Sequence, residues 1–286
     1  MMKRIFLYFF LPVLVIFIST CWIDRGYEQL LEIPDTSVSL SDGQEQAAKN
    51  LPESSPQTNE NREKISDAGM QVLVQARKKR TKTIERFGIG RVAIPAVNLE
   101  LPILNKITER NLSTGATMYF PERPLGQGNV VLASHNFSDA DVLLHRIEQV
   151  TKGTKIYLTD FTNVWIYEVT ANEIIQETQI DVLDQPADNT AIVTLIRCEG
   201  GPGTDYRRVV QGTLEETVPI TQLSVAQQKK LGISRQTATA KKESSWMSEQ
   251  LALSIQEKRP TVPLLMIGLA NLLFLIVQGI LFVRKS

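Results

Sequence analysis

The sequence predicts an all-β domain lying between two apolar segments. Between residues 90 and 220, short runs of apolar and β-branched residues alternate with glycine, proline, asparagine and aspartate. About eight such runs at regular spacing are typical of an antiparallel barrel or sandwich. Only residues 141–150 in this region have a helical pattern, which is too little for the crossover helices of a doubly wound parallel sheet.

The predicted strands are 91–94, 99–103, 129–134, 155–158, 165–169, 173–175, 191–198 and 207–214. Residues 65–87, which precede them, have a broken apolar stripe and are predicted to be helical. This helix contains a basic run, 77–80 with Lys82. Such a run is either a solvated helix face or a contact for anionic lipid headgroups or wall polymer, and both interpretations remain open.

Two long apolar segments lie near the ends of the chain. Residues 5–23 follow Lys3-Arg4, and residues 262–283 precede Arg284-Lys285. At ~1.5 Å per residue, each is close to the length needed to cross a ~30 Å hydrocarbon core. Basic residues favour the cytoplasmic side, so the sequence predicts two spans, both termini inside, and the intervening domain outside the cell.

A cleaved signal peptide is the alternative for the first segment, but its apolar core is usually ~7–15 residues. The longer run here favours an uncleaved anchor. The predicted organisation is an N-terminal membrane anchor, a polar stalk with a linking helix, the β domain, a polar linker and a C-terminal transmembrane helix. Their bounds are 1–23, 24–89, 90–220, 221–260 and 261–283.

The charge and cysteine content limit the classes of function. The 31 basic and 31 acidic residues give a formal net charge of zero, so no overall charge favours nucleic acid as a partner. Of the two cysteines, Cys21 lies in the first apolar segment, which leaves Cys198 without a disulfide partner in the β domain. A lone thiol is either an inert buried residue or a nucleophile.

Three chemically distinct side chains lie at the ends of predicted strands. Cys198 ends one strand, His135 follows another, and Arg207 opens a third. A nearby imidazole or guanidinium favours the reactive thiolate. The guanidinium would stabilise the oxyanion that forms on an attacked carbonyl, and the imidazolium would protonate a leaving amine. These three residues would suffice for acyl transfer through a thioester.

The motifs around these residues resemble those of sortases, the cysteine transpeptidases of Gram-positive cell surfaces. Thr194-Leu195-Ile196-Arg197-Cys198 is similar to the family's Thr-Leu-x-Thr-Cys, Leu132–His135 to its histidine loop, and Arg207–Gly212 to its arginine strand. The resemblance covers residues 90–216 and is greatest to the streptococcal type of class A. It implies an eight-stranded sortase-type β-barrel with short helices, with His135, Cys198 and Arg207 as catalytic residues.

Two features depart from the class A pattern. Arg197 replaces the threonine that usually precedes the cysteine, and strand alternation places its side chain on the face opposite Cys198. The C-terminal span is more usual in pilus-building class C members, but the Asp-Pro-aromatic lid motif of that class is absent. A class C-like pilin polymerase and a non-catalytic surface-binding module with a decayed site remain as alternatives.

The resemblance implies that LPxTG-type sorting signals on surface proteins are the substrates and that an amine of a lipid-linked peptidoglycan precursor is the acceptor. The two apolar segments predict a membrane location, and the zero net charge gives no reason to expect nucleic acid as a partner. No cofactor is expected, because no His, Cys and Asp cluster has the spacing of metal ligands. Calcium, which some members bind, is not indicated by any acidic cluster beyond Glu173, Glu177 and Asp181.

Other nearby residues are expected to have no catalytic role. His145 is predicted to be a surface or packing residue of the short helix. Arg208 is the alternative to Arg207, but its side chain would project from the opposite face of the strand. Asp139 and Asp141 would be within reach of His135, but the resemblance implies no carboxylate in the triad.

Overall fold

A computed structural model describes residues 38–50, 68–137, 141–201 and 203–234, besides seven isolated positions. These ranges fall within one structural unit, 33–240. The predicted membrane segments, 1–23 and 261–283, lie outside the described ranges. Among the helices of the described residues, none is long and apolar enough to cross a bilayer.

Eight strands form a closed barrel in the order β2-β3-β4-β5-β8-β9-β7-β6. The fold therefore confirms the predicted eight-stranded barrel with short helices. The strands are β2 (Gly88–Ile94), β3 (Leu99–Leu104), β4 (Ala116–Met118), β5 (Asn129–Ala133), β6 (Lys155–Thr159), β7 (Asn163–Gln176), β8 (Ile192–Cys198) and β9 (Tyr206–Pro219).

Two of these strands differ from the sequence prediction. Residues 165–169 and 173–175, predicted as separate strands, belong to the single strand β7. Its polar centre interrupts the apolar pattern, yet β9 pairs with it on both sides of a register shift between Val169 and Ala171. The three-residue strand β4 has no apolar run to reveal it.

The strand pattern predicted an antiparallel barrel or sandwich, but the barrel also contains parallel strand pairs. β3 pairs with β4, and β5 with β8, in parallel. The connection from β5 to β8 contains β6 and β7, so it is long enough to return the chain for a parallel pairing. As a result, the carboxyl ends of β5 and β8 lie at the same edge of the barrel.

The barrel interior is filled by aliphatic side chains that alternate along the strands, as a closed sheet requires. Fully buried examples are Val92, Ile94, Ile103, Leu132, Ile156, Leu158, Val193 and Leu195. Each contributes about 1.5–3 kcal/mol to folding relative to an exposed position. The same alternation decides which side chains of β8 and β9 point away from the interior.

Residues 38–50, which the sequence places in the stalk, are structured. They form β1 (Val38–Ser39) and α1 (Leu40–Lys49), and β1 pairs in parallel with β10 (Ile233–Ser234). Within α1, Gly43 lies so close to the Phe161 ring that a Cβ would be 2.6 Å from it. The buried face of α1 consists of Gly43 and Ala47, and residues this small leave no apolar stripe in the sequence.

The helix predicted over 65–87 is two helices in the described residues, α2 (Met70–Lys78) and α3 (Arg80–Phe87). The break falls at Lys79, within the basic run. Arg80, which follows it, is buried and donates to the carbonyl oxygen of Thr114 at 2.5 Å. Lys79 and Lys82 remain exposed. The other short helices are α4 (Glu109–Leu112) and α5 (Val225–Lys230).

Candidate active site

Cys198 and Arg207 are directly opposite each other at the end of the β8–β9 ladder. Residues opposite one another on antiparallel strands project from the same face of the sheet. The thiol and this arginine therefore share one face. Cys198 is half-buried and forms no disulfide.

His135 reaches the same edge through the parallel pair of β5 and β8. Ala133 is paired with Ile196, and the Ser134 N–H donates to the Ile196 carbonyl at 3.3 Å. β5 ends at Ala133, so His135 follows it by two residues at the edge of the barrel where β8 ends with Cys198. The imidazole is buried, with 3% of the residue exposed, and its main-chain N–H donates to the Leu112 carbonyl at 2.9 Å.

The guanidinium of Arg207 is held by the loops around it. Its Nη2 donates to Glu177 Oε2 at 2.5 Å, and Nη1 donates to the carbonyl oxygens of Thr204 and Tyr206 at 2.8 and 2.9 Å. The Arg207 side chain is 23% exposed and that of Glu177 is 48% exposed. The guanidinium is thus oriented by two backbone carbonyls and remains accessible from solvent.

The opposite face of β8 and β9 carries a group of charged side chains behind the thiol. Arg197 lies opposite Arg208, and Glu199 joins them, with its Oε2 3.0 Å from Arg197 Nη1 and its Oε1 3.0 Å from Arg208 Nη2. The Arg208 hydrogen bond, and then the Arg197 charge, hold the pKa of Glu199 below its usual range. Glu199 therefore stays ionised beside both guanidinium groups.

His145 lies near this group. Its Nδ1 is 3.4 Å from Asn136 Oδ1, and its Nε2 is 3.8 Å from Glu148 Oε1. It belongs to a 3₁₀ turn, His145–Gln149, within the stretch where the sequence predicts a helix. The residue after His135 is therefore in contact with this turn.

Of the two aspartates near the histidine loop, the structure describes only Asp141. Asp141 is bound by Arg146, which donates from Nε to both carboxylate oxygens at 2.8 Å. This hydrogen bonding lowers the pKa of Asp141. Asp139 lies outside the described residues. No group of His, Cys, Asp or Glu that could hold a metal ion occurs among the residues that the structure describes.

The sequence analysis assigned no role at the site to three carboxylates that lie near it. Glu199 could have been found, since it lies two residues from Arg197, one strand repeat further along and just past the end of β8. Glu148 and Glu177 reach the site from a turn and a loop, and no periodicity in the sequence indicates their partners.

Comparison with known proteins gives the class of protein that has this barrel and site. A family model described as "Sortase domain" matches residues 92–215. The putative sortase YwpE of Bacillus subtilis is 34% identical over 96 residues, which are 34% of this chain and 92% of that protein. The chain belongs to the sortase family, as its sequence motifs predicted.

The more particular similarity is to proteins named sortase A. That of Listeria monocytogenes is 38% identical over 133 residues, covering 46% of this chain and 59% of that protein. That of Bacillus anthracis is 39% identical, covering 45% and 60%. The chain thus spans about 60% of these two relatives. The crystal structure of the Listeria sortase A aligns at a TM-score of 0.48 and 35% identity, over 51% of this chain and 99% of that one.

Proposed function

We propose that this protein is a class A sortase, a cysteine transpeptidase that joins LPxTG-bearing surface proteins to a cell-wall precursor. The observation that carries the proposal is the pairing of Cys198 with Arg207 at the end of the β8–β9 ladder. It is supported by the parallel pairing of β8 with β5, the strand that ends two residues before His135. The similarity to proteins named sortase A supports the class.

In the first half-reaction, the Cys198 thiolate attacks the threonine carbonyl carbon of the Leu-Pro-x-Thr-Gly signal. The negative charge that develops on the carbonyl oxygen is stabilised by the Arg207 guanidinium. The threonine–glycine C–N bond then breaks, and the His135 imidazolium gives its proton to the departing glycine amine. The product is a thioester on Cys198, with a neutral His135.

In the second half-reaction, an amine of the peptidoglycan precursor attacks the thioester carbonyl. Neutral His135 accepts a proton from this amine as the new amide bond forms. The carbon–sulfur bond breaks and the thiolate of Cys198 leaves, which restores the starting thiolate–imidazolium pair. If water replaces the amine, the same thioester is hydrolysed instead of transferred.

The predicted membrane location suits this chemistry. The sorting signal is followed by a membrane-retained tail in a protein undergoing secretion, and the acceptor is linked to lipid. Two spans that hold the barrel at the outer membrane face would keep all three components within a short distance. Tethering of this kind raises their effective concentration without any new contact.

The test is incubation of the full chain in detergent with a labelled sorting peptide and candidate amines, followed by product identification by mass. Transfer is expected from the parent chain and from the matched control Cys21→Ala. It should be lost in Cys198→Ala, and reduced at least a hundredfold in His135→Ala. Transfer by the Cys198→Ala variant would contradict the proposal.

The acceptor amine that the protein uses distinguishes a class A sortase from a pilin polymerase and from a non-catalytic binding module. Efficient transfer to a peptide lysine and none to a peptidoglycan-type amine would favour pilin polymerisation. A folded parent chain that transfers to neither, and whose Cys198 alkylates no faster than a free thiol, would favour a non-catalytic binding module.

A further inference from the structure

Arg197 is the most deeply buried charged group next to the thiol. Its side chain is 1% exposed. It donates from Nη1 to the carbonyl oxygen of Cys198 itself at 2.8 Å and from Nε to that of Leu144 at 3.2 Å. From Nη2 it donates to the His145 carbonyl at 3.2 Å and to Glu148 Oε2 at 3.0 Å. A buried guanidinium is costly unless its donors are paired, so these contacts fix its position.

The backbone of Leu144 connects the two strand ends that carry the thiol and the imidazole. Its carbonyl accepts from Arg197, the residue before Cys198. Its N–H donates to Ser134 Oγ at 3.3 Å, and Ser134 is the residue before His135. Leu144 is itself fully buried. These hydrogen bonds among Ser134, Leu144 and Arg197 therefore set the separation of the two strand ends, on the face opposite the Cys198 thiol.

The charges on this face balance only when Arg197 is present. Arg197 and Arg208 face Glu148 and Glu199, with His145 beside Glu148. Without Arg197, two carboxylates would face a single guanidinium. The resulting negative charge behind Cys198 would disfavour its thiolate.

We propose that Arg197 is a positioning residue that aligns the end of β8 with the histidine loop and supplies the positive charge behind the nucleophile. The proposal rests on the proposed function, since it assigns Arg197 a role in the reaction of Cys198. Arg197 acts through Cys198 and does not touch the substrate. Its two contributions, alignment and charge, have separate readouts.

The test compares Arg197→Met, which removes the charge, with Arg197→Lys, which keeps the charge but loses the planar fork. Arg91→Met is the matched control. Arg91 is a buried arginine with 3% side-chain exposure and an ion pair to Glu100, and it lies on β2, four strands from β8 in either direction around the barrel. The full chain is used throughout.

Two measurements are made on each variant. The first is kcat and KM for transfer of the sorting peptide to an amine. The second is the rate of Cys198 alkylation by iodoacetamide as a function of pH, followed by the mass of the Cys198 peptide. The second needs neither peptide nor amine, so it remains informative if the proposed transpeptidation fails.

For Arg197→Met we expect kcat to fall about tenfold or more, with KM within about twofold, because alignment acts on the reaction step rather than on binding. The inflection of the alkylation profile should move to higher pH. Arg197→Lys should retain the parental inflection with an intermediate kcat. Arg91→Met should leave kcat and the inflection unchanged even where it lowers thermal stability.

A parental kcat and inflection in folded Arg197→Met would overturn the proposal, as would equal changes in Arg91→Met. If Arg197→Met does not fold, Arg197→Lys decides, and a kcat equal to that of the parent overturns it. Absence of transfer by the parent chain contradicts the proposed function instead, and the alkylation profiles then decide the role of the Arg197 charge.

Discussion

Glu177 is the carboxylate that occupies one end of the Arg207 guanidinium, the group proposed to meet the substrate carbonyl. Its Oε2 accepts from Nη2, whereas Nη1 is held by two backbone carbonyls. The orientation of Arg207 is therefore expected to survive without Glu177, and Nη2 would become available to substrate. A partly exposed ion pair of this kind is worth about 0.2–1 kcal/mol.

We predict that Glu177→Gln lowers KM for the sorting peptide by about two- to fivefold, the factor that corresponds to the energy of such an exposed ion pair. Steady-state kinetics over a range of peptide concentrations measures it. Glu173→Gln is the charge-matched control, since Glu173 is exposed on the strand that leads to Glu177. A KM that rises by this factor would show that Glu177 orients Arg207 rather than competing with substrate.

At the level of single residues, motif resemblance proposed the three catalytic residues, and strand alternation predicted which face Arg197 occupies. It placed Arg197 on the face opposite Cys198, and the register agrees, because Arg197 is paired with Arg208 whereas Cys198 is paired with Arg207. It could not predict the partners of Arg197. Two of these partners, Glu148 and the Leu144 carbonyl, are 49 and 53 residues away in the sequence. Strand alternation relates only neighbouring residues, so it cannot predict contacts at this separation.

The buried side chain of Asn129 is one of the groups that bind the loop between β7 and β8 to the barrel, along with Arg123 and Gln211. Asn129 Nδ2 donates to the carbonyl oxygens of Val182 and Asp184 at 2.9 and 3.0 Å. Its Oδ1 accepts from Thr194 Oγ1 at 2.8 Å, and the residue is completely buried. Asn129 opens β5 and Thr194 lies within β8, so the loop is tied to the pair of strands that leads to His135 and Cys198.

We predict that Asn129→Ala destabilises the fold by about 3 kcal/mol, because it leaves buried partners without a hydrogen bond. For a domain of this size, that lowers Tm by roughly 6–12 °C. Hydrogen exchange in a peptide covering 180–191 should also become faster. Asn105→Ala, which loses a single hydrogen bond to the Asn50 carbonyl, should cost about 1 kcal/mol and leave that exchange unchanged.

At the level of elements, the sequence predicted the barrel strands that have continuous apolar runs and missed those without them. β4 has three residues, and α1 buries only glycine and alanine. The parallel pairing of β5 with β8 was also missed, because periodicity identifies strands but not their neighbours. That pairing brings the end of β5, two residues before His135, alongside the end of β8, so the geometry of the site depends on the topology that periodicity does not encode.

For the whole molecule, the proposed function requires the barrel to meet substrate and acceptor outside the cell. Residues 5–23 and 262–283 supply two apolar segments, each with a basic pair at its terminal end. The positive-inside rule predicts that both pairs lie in the cytoplasm. A chain with only one spanning segment would put the two pairs on opposite sides, or leave the other segment exposed to water.

We predict that a membrane-impermeant maleimide labels Cys198 in intact cells, since the thiol is half-buried on the barrel edge. In a Cys21→Ala, Cys198→Ala background, Lys3→Cys and Ser286→Cys should be labelled only after lysis, because both lie beyond the predicted spans on the cytoplasmic side. Peptide mass analysis of intact and lysed samples measures all three positions, and unmodified cytoplasmic proteins report membrane integrity. Labelling of Ser286→Cys in intact cells would exclude the two-span topology, and protection of Cys198 until lysis would place the barrel on the wrong side for its proposed substrates.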